Sequence, residues 1–591
     1  MGYKSLKSCI DDLEKKGDLI RISDEVDPYL EMSAIQLRVF KNSGKAVFFE
    51  KIKGSPFPAV SNLFGTLDRS KFMFRDTLKS VKDLVKFKAD PLSFFKKPIQ
   101  NLSSLFAART AIPKKINSHK FKEIKISDLP QIHSWPMDGG PFITLPQVYS
   151  EDIESPGVMK SNLGMYRVQL AGNNYIQDKE VGMHYQIHRG IGVHQSKSNK
   201  LNKPLKVSIF IGGPPSHTLA AVMPLPEGMS ELSFAGVIGG RRFRYAIEDG
   251  YTLSTDADFV ICGEINGFDV KPEGPFGDHL GYYSLVHDFP VMKIHKVYAK
   301  DNAIWPFTIV GRPPQEDSQF GSLIHEITDS IIPSEIPGIK AVNAVDEAGV
   351  HPLLLAIGSE RYTPYNSERK PQELLTLSNH VLGKGQLSLA KYLLMVAQED
   401  DPDLDVNDKK SFFHHLLERI DWQRDMHFQT QTTMDTLDYS SGCGGINSGS
   451  KVVFVAAGNK KRILIDKVEE IKLPKGFKNP KFVVPGILII EGDGELNELL
   501  EINIPDGVAL VTLVDDSDFV SADFNNWLWV TFTRSDPAED IRGWNENIVN
   551  KHWGCDIPLI DARIKKHHSP TMEMPDEIWQ KADDIINRFI K

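Results

Sequence analysis

Leu6, Ile10 and Leu13 fall at spacings of four and three with charged residues between them, which predicts an amphipathic helix over residues 3–17. Residues 66–110 are rich in Lys, Phe and Leu and read as further helices, with Pro113 and the basic stretch to Lys122 as a connector. From about 150 to 310 the texture changes to strands: NLGMYRVQLAG, PLKVSIFIGG, DADFVICGEING and VMKIHKVYA. Glycine and proline clusters such as GGPPS and PLPEG punctuate them, so this stretch reads as one β-rich domain. From 316 to 450 helical and apolar strand-like segments alternate, and KYLLMVAQEDDPD reads as a buried strand ending in an acidic loop. That alternation predicts an α/β layer. VALVTLVDDSDFVSADFNNWLWV, from Val508, echoes the order of apolar strand, acidic loop and apolar helix. A weak internal duplication is one reading of this echo, and chance recurrence is the other.

Composition narrows the class. The chain has 591 residues, 41% hydrophobic and 25% charged, which is ordinary for a soluble globular protein. The length suggests about three or four domains. A formal net charge of -9 argues against broad nucleic-acid binding. Cys9, Cys262, Cys443 and Cys555 are scattered without zinc-site spacing or a disulfide framework, and read as reduced thiols in the cytoplasm. MGYKSLKSCIDDLEKKGDLIRI has no apolar h-region, so it is not read as a signal peptide. No apolar run approaches the roughly 20 residues that span a bilayer.

Four segments carry candidate chemistry. Glu273 and Asp278 lie five apart in EGPFGDHLGYYS, and the Gly and Pro between them favour a turn that aims both carboxyls into one cavity. Two close acids in an apolar pocket cannot both ionise cheaply, so one is expected to be pushed towards its protonated form. Alone, the segment reads more readily as a solvated loop. In NLGMYR, Arg167 presents a planar fork suited to a carboxylate. On an unbroken strand Asn162 and Arg167 would face opposite ways, so a bulge or bend is needed to bring them together. In HYQIHRGIG, a His, an Arg and bare backbone N–H groups are suited to a metal and a phosphate. PLPEGMSE looks like a rigid turn delivering Glu231.

No one segment is specific, but their order is. NLGMYR, QIHRG, MPLPEGMSE, EGPFGDHLGYY and TIVGRPPQED follow one another here as in the UbiD decarboxylases. The opening, with Leu19–Ile22, Val26–Pro28 and Ser61–Gly65, also resembles that family, and the resemblance runs to about residue 450. It implies an α/β (α+β) protein with a split β-barrel flavin-binding domain and an α/β oligomerisation domain. The expected divisions are 1–115, a helical or mixed region; 116–310, the barrel; 311–450, the α/β domain; and 451–591, an insertion or extension with a terminal helix. A late segment, PLIDAR at 558–563, resembles the end of the family pattern, so the extra length reads as an insertion.

The resemblance also assigns roles. Asn162, His188 and Glu231 would bind a divalent metal, usually Mn2+, with K+ as a further ion. Met165, Tyr166, Arg167, His184, Tyr185, Gln186, Arg189, Gly190 and Lys391 would bind prenylated FMN, although relatives carry Arg or Lys where His184 stands. Arg167, Glu273 and Asp278 would be the catalytic trio, with Asp278 as proton donor. Expelling carbon dioxide leaves charge on carbon that no side chain delocalises, so a cofactor must take it. The implied activity is reversible, non-oxidative decarboxylation of an aromatic or α,β-unsaturated acid, in ubiquinone or menaquinone synthesis or aromatic-acid metabolism. A flavin prenyltransferase would supply the cofactor, and a homodimer or homohexamer is expected. A prenylated substrate would bring peripheral membrane contact. The competing readings are a flavin-binding or assembly subunit without catalysis, and a metal-dependent hydrolase with Glu273 as base.

Overall fold

The computed structural model describes residues 2–42, 44–89, 108–186, 190–225, 229–328, 336–362, 368–442, 445, 447–468 and 471–589, with backbone alone for 85–89 and 108. Two compact units divide it. Met1–Asp278, Tyr282–Thr328 and Thr571–Lys591 form the first, and His279–Gly281 with Asp329–Pro570 form the second. These units do not follow the four stretches expected from the sequence. The last helix returns to the first unit, and the strand Ser448–Ala456 runs through the expected division at 450.

In the first unit the opening helix spans Leu6–Lys16 and buries Leu6, Cys9, Ile10 and Leu13. Ser5 and Ser8 close it with a reciprocal capping box, and Gly17 ends it in the left-handed conformation that glycine adopts without strain. Strands Leu19–Val26, Ala46–Ile52, Ala59–Ser61 and Trp305–Phe307 form a four-stranded sheet in that order. The helix Glu31–Asn42 packs against the terminal helix Asp576–Phe589. Ile578, Ala582, Ile585 and Ile586 join Met32, Ile35 and Val39 in one apolar core. Arg38 lies over the Trp579 ring at 4.3 Å and pairs with Asp583 at 3.1 Å.

A nine-stranded sheet, antiparallel throughout, carries the candidate site. Its centre is the pair Phe259–Glu273 and His287–Lys300, which pairs from Phe259 opposite Ala299 to Glu273 opposite His287 with register shifts after Cys262 and Ile265. Asn162–Gly164 ends the strand path on one side, while Val168–Gln169 lies second from the other end. Only Met165, Tyr166 and Arg167 connect them. A span of four residue steps reaches at most roughly 14 Å. The sheet therefore curls until its two ends nearly meet, in the manner expected of a barrel with a split.

The second unit repeats one architecture. Its first sheet orders the strands Ile339–Ala344, Leu353–Gly358, Tyr392–Ala397, Ser448–Ala456 and Met426–Thr433. Its second orders Phe477–Val484, Ile487–Gly492, Leu510–Val514, Ile557–Asp561 and Ile541–Trp544. Successive pairings in each run antiparallel, parallel, parallel, antiparallel. In both, the third strand leads through an acidic turn into helix, Lys409–Arg419 in one and Ser517–Ala522 followed by Phe524–Arg534 in the other. The echo read in the sequence is thus a repeated sheet topology. The central strands Leu353–Gly358 and Tyr392–Ala397 are buried along their whole length, which explains their continuous apolar runs.

The terminal helix offers a direct test of this packing. Truncating Ile585→Ala removes core contacts and is expected to cost about 2–5 kcal/mol, the usual range for such truncations in cores. Lys581→Ala, on the exposed face, is expected to leave stability unchanged. Urea unfolding followed by tryptophan fluorescence checks both.

Candidate active site

Arg167 is placed by the break between Asn162–Gly164 and Val168–Gln169. Because the chain leaves the strand at Met165, the alternation of faces that would oppose Asn162 and Arg167 does not apply. Glu273 is the last residue of the long strand, and the turn begins after it at Gly274, whose φ of 91° is open to glycine. Gln169 Oε1 accepts from Gly274 N–H at 3.0 Å, and Asn173 Nδ2 donates to Gly274 O at 2.8 Å. The turn is therefore held through both the N–H and the carbonyl of Gly274.

The guanidinium engages both acids. Arg167 Nε and Nη2 donate to Glu273 Oε1 and Oε2, each at 2.8 Å, in the parallel fork that suits a carboxylate. Arg167 Nη1 donates to Asp278 Oδ2 at 2.6 Å, and Nη2 also reaches Ser284 Oγ at 3.1 Å. The Phe276 ring lies 4.6 Å from the guanidinium carbon. Glu273 is fully buried, and burial alone would raise its pKa. The Arg167 charge and hydrogen bonds from His184 and Arg167 overturn that and hold it at about 2. A cation therefore stands between the two acids, and Glu273 is the one kept ionised.

His184 turns Nδ1 to Glu273 Oε2 at 3.2 Å and stacks on Phe289 with ring centroids 4.0 Å apart. Burial, then the Arg167 charge, lowers its pKa, so the imidazole is neutral at neutral pH. Asp138 does not stand out in the sequence, where MDGG reads as a plain turn. Its Oδ1 accepts from Gly277 N–H at 2.7 Å, and its Oδ2 accepts from Trp135 N–H at 2.9 Å and Ser134 N–H at 3.2 Å. It thereby fixes the backbone next to Asp278. Burial raises its pKa to about 7 against those N–H groups and the Arg167 charge.

A second group gathers Asn162, Glu231 and Gly190. The backbone N–H of Leu163, the neighbour of Asn162, stabilises the Glu231 carboxylate, as does the N–H of Glu231 itself. Burial nonetheless raises the Glu231 pKa. Asn162 Nδ2 is buried without a hydrogen-bond partner among the described residues, while Oδ1 accepts from Tyr166 Oη at 3.3 Å. Gly190 opens the helix Gly190–Lys200, and a Cβ there would come within 2.0 Å of Asn162 Oδ1, so only glycine allows this approach. The half-buried Glu231 carboxylate and the side-chain carbonyl of Asn162 supply oxygen donors, and these fit a divalent metal. His188 and Arg189 lie outside the described residues.

Of the other expected cofactor contacts, Met165 N–H donates to Ala221 O at 2.9 Å. Tyr166 and Tyr185 rings lie 6.0 Å apart, and Tyr185 Oη donates to Gln195 Oε1 at 2.6 Å. Gln186 follows in the same segment. Lys391 belongs to the second unit, where its buried ammonium meets Asp438 Oδ2 and Ser440 Oγ, each at 2.7 Å.

A curled antiparallel sheet here holds an arginine against two buried acids, an arrangement able to receive a carboxylate. Comparison with known proteins gives the family. Residues 10–88, 107–313 and 318–456 match the N-terminal, Rift-related and C-terminal domains of 3-octaprenyl-4-hydroxybenzoate carboxy-lyase. The chain belongs to the UbiD family and is a carboxy-lyase. An uncharacterized protein of Chlamydia trachomatis serovar D is 35% identical over 602 residues, covering 98% of each chain. A protein of Chlamydia pneumoniae, named as one of the subunits of 4-hydroxybenzoate decarboxylase, is 34% identical, covering 96% of this chain and 95% of its own. The fold is shared with the closed form of the vanillic acid decarboxylase of Sedimentibacter hydroxybenzoicus. That match has TM-score 0.64 and 22% identity, over 80% of this chain and 96% of the other. It is shared also with the UbiD-class enzyme HmfF from Pelotomaculum thermopropionicum in complex with FMN, at TM-score 0.59 and 19% identity, over 80% and 97%.

The raised pKa of Asp138 gives a signed expectation. A carboxyl whose folded pKa lies near 7 rather than 3.8 binds more protons folded than unfolded between those values. The parent protein therefore loses stability from this group as pH rises from about 4 to 7. Asp138→Asn cannot titrate, so its melting temperature relative to the parent is expected to rise between pH 5 and pH 8. Thermal unfolding at the two pH values checks the sign.

Proposed function

We propose that the chain is a non-oxidative, reversible decarboxylase of an aromatic acid that works with prenylated FMN and a divalent metal. The observation that carries this reading is the Arg167 fork on Glu273 and Asp278, which joins a carboxylate-binding cation to two acids in one buried place. The Chlamydia pneumoniae relative, named for 4-hydroxybenzoate decarboxylase, favours an aromatic hydroxy acid as substrate. The flavin reading is supported by HmfF, whose structures are described in complex with FMN and, for an evolved dimeric form, with prenylated FMN.

Asn162, His188 and Glu231 are the proposed metal ligands, with manganese as the ion. The phosphate side of the flavin falls to the backbone around His184, Tyr185 and Gln186 and to Arg189 and Gly190, with Met165 and Tyr166 against its rings. When bound, prenylated FMN supplies the electron sink that carbon dioxide loss requires. Arg167 orients the substrate carboxylate, which competes with Asp278 for Nη1 while Glu273 keeps the fork. His184 holds Glu273 from its other side and, being neutral, leaves the pair's charge undisturbed. After the carbon–carbon bond breaks, Asp278 delivers a proton to the substrate carbon, so acid gives arene and carbon dioxide. In the reverse direction Asp278 takes that proton back.

Co-expression with a flavin prenyltransferase, manganese supply and a screen of hydroxybenzoates for carbon dioxide release tests the reading. A protein that binds no flavin under these conditions would sink it. Asp278→Asn is expected to retain flavin and metal and to lose about 10²–10⁴-fold in turnover, the usual worth of general acid–base help. Steady-state assay with deuterium incorporation from heavy water checks this. Glu231→Ala is expected to lose manganese and flavin together, read as metal content and flavin absorbance on one sample. Full flavin with no metal would refute the shared site.

A further inference from the structure

We propose a second divalent-metal site in the second unit, formed by His279, His351 and Asp435, which shares no residue with the Asn162, His188 and Glu231 set. One ligand atom from each of the three lies within 4.8 Å of the others. An ion at bond lengths near 2.0–2.2 Å needs its ligands roughly 3–3.5 Å apart, so small side-chain rotations close the sphere. Two imidazoles and one carboxylate suit a first-row divalent ion such as Zn2+, Co2+ or Fe2+, with remaining positions open to water. Thiolate is absent from the set, which sets it apart from cysteine-rich structural zinc sites.

The three positions come from different connections, each held independently of any ion. His351 sits in the turn before Leu353–Gly358; its N–H donates to Gly349 O at 2.9 Å, and its carbonyl accepts from Lys391 N–H at 3.2 Å. Asp435 follows Met426–Thr433 and is 5% exposed, with Oδ1 accepting from Leu437 N–H at 2.9 Å. Its other oxygen is against His351 Nδ1. Asn447 Nδ2 bonds Met434 O at 3.1 Å and Thr436 Oγ1 at 2.6 Å, on either side of Asp435. Beside His279, Leu280 O accepts from Trp529 Nε1 at 2.7 Å. The site is thus preorganised in its backbone, as metal sites require.

The ammonium groups of Lys391 and Lys451 have hydrogen-bond partners outside the three-residue set. Lys391 is committed to Asp438 and Ser440, and Lys451 to the carbonyls of Ser388 and Ala390. Half-buried imidazoles facing a buried carboxylate otherwise make only a hydrogen-bonded pair with an aromatic neighbour, and that plainer arrangement is the alternative the experiment decides. An ion here would fix the segment beginning at His279, the residue that follows the proposed proton donor Asp278 in the chain.

The test uses the full-length protein after chelation, dialysed against Co2+ alone. Metal content and the visible d–d bands of bound Co2+ are read for the parent, Glu231→Ala, and each of these combined with His351→Ala or His279→Gln. Each added histidine variant is expected to remove one equivalent of Co2+ and its bands, in both backgrounds. That difference does not depend on whether Glu231 itself binds metal. His279→Gln guards against misfolding, since it changes one loop side chain, and far-UV circular dichroism is recorded alongside. Unchanged Co2+ content on His351→Ala and on His279→Gln overturns the site. So does the absence of Co2+ from Glu231→Ala, which would leave His351 and Asp435 as a hydrogen-bonded pair.

Discussion

The structure around the candidate active site depends on placing one guanidinium and two carboxylates out of water. Removing an ion pair from solvent costs several kcal/mol per ion, and only near-ideal geometry offsets it. The two parallel 2.8 Å bonds between Arg167 and Glu273 supply that geometry. Each local device nearby serves it. The strand break at Met165 aims Arg167 inward, Gln169 and Asn173 grip Gly274, and Asp138 holds Gly277. The curl of the sheet brings these parts together, because Arg167 lies in the short link between strands near opposite ends of the path. Fold and chemistry are therefore set by one constraint: the long strand must end at Glu273 where that link passes.

The residue types of this site are legible in the sequence, but their pairings are not. Glu273 and Asp278 announce themselves through the Gly and Pro between them. The misfit of Asn162 and Arg167 on an ideal strand is a true signal, resolved by the chain leaving the strand. What the spacing cannot show is that a cation 106 residues before Glu273 stands between the acids. Two carboxylates considered alone therefore do not show which of them stays ionised. Asp138 escapes notice because an Asp before two glycines looks like any turn, and its role depends on the backbone N–H of Gly277, far along the chain. His184 reads as a phosphate neighbour, yet its ring is turned to Glu273. Long strands and the opening helix are readable because their periodicity is local. The partner of the terminal helix is not, since its apolar face is matched more than 500 residues away, as Arg38 and Asp583 show.

The second unit makes the same point on a larger scale. Its two sheets share strand order and direction, so the common part of the repeat is framework. The copies differ in their connections. Between their first two strands, the first sheet spends residues 345–352 where the second turns through 485 and 486 alone, and the longer loop carries His351. Between their last two strands in the chain, the first sheet uses residues 434–447, which carry Asp435, Asp438 and Ser440. The second places the hairpin Asn547–Val549 and His552–Gly554 there instead. Polar chemistry in this unit therefore gathers in loops where the copies diverge, on sheets whose apolar strands fix the loop ends. A rigid sheet can be reused because it needs only burial and pairing, whereas a ligand set needs particular side chains in the segments that burial leaves free.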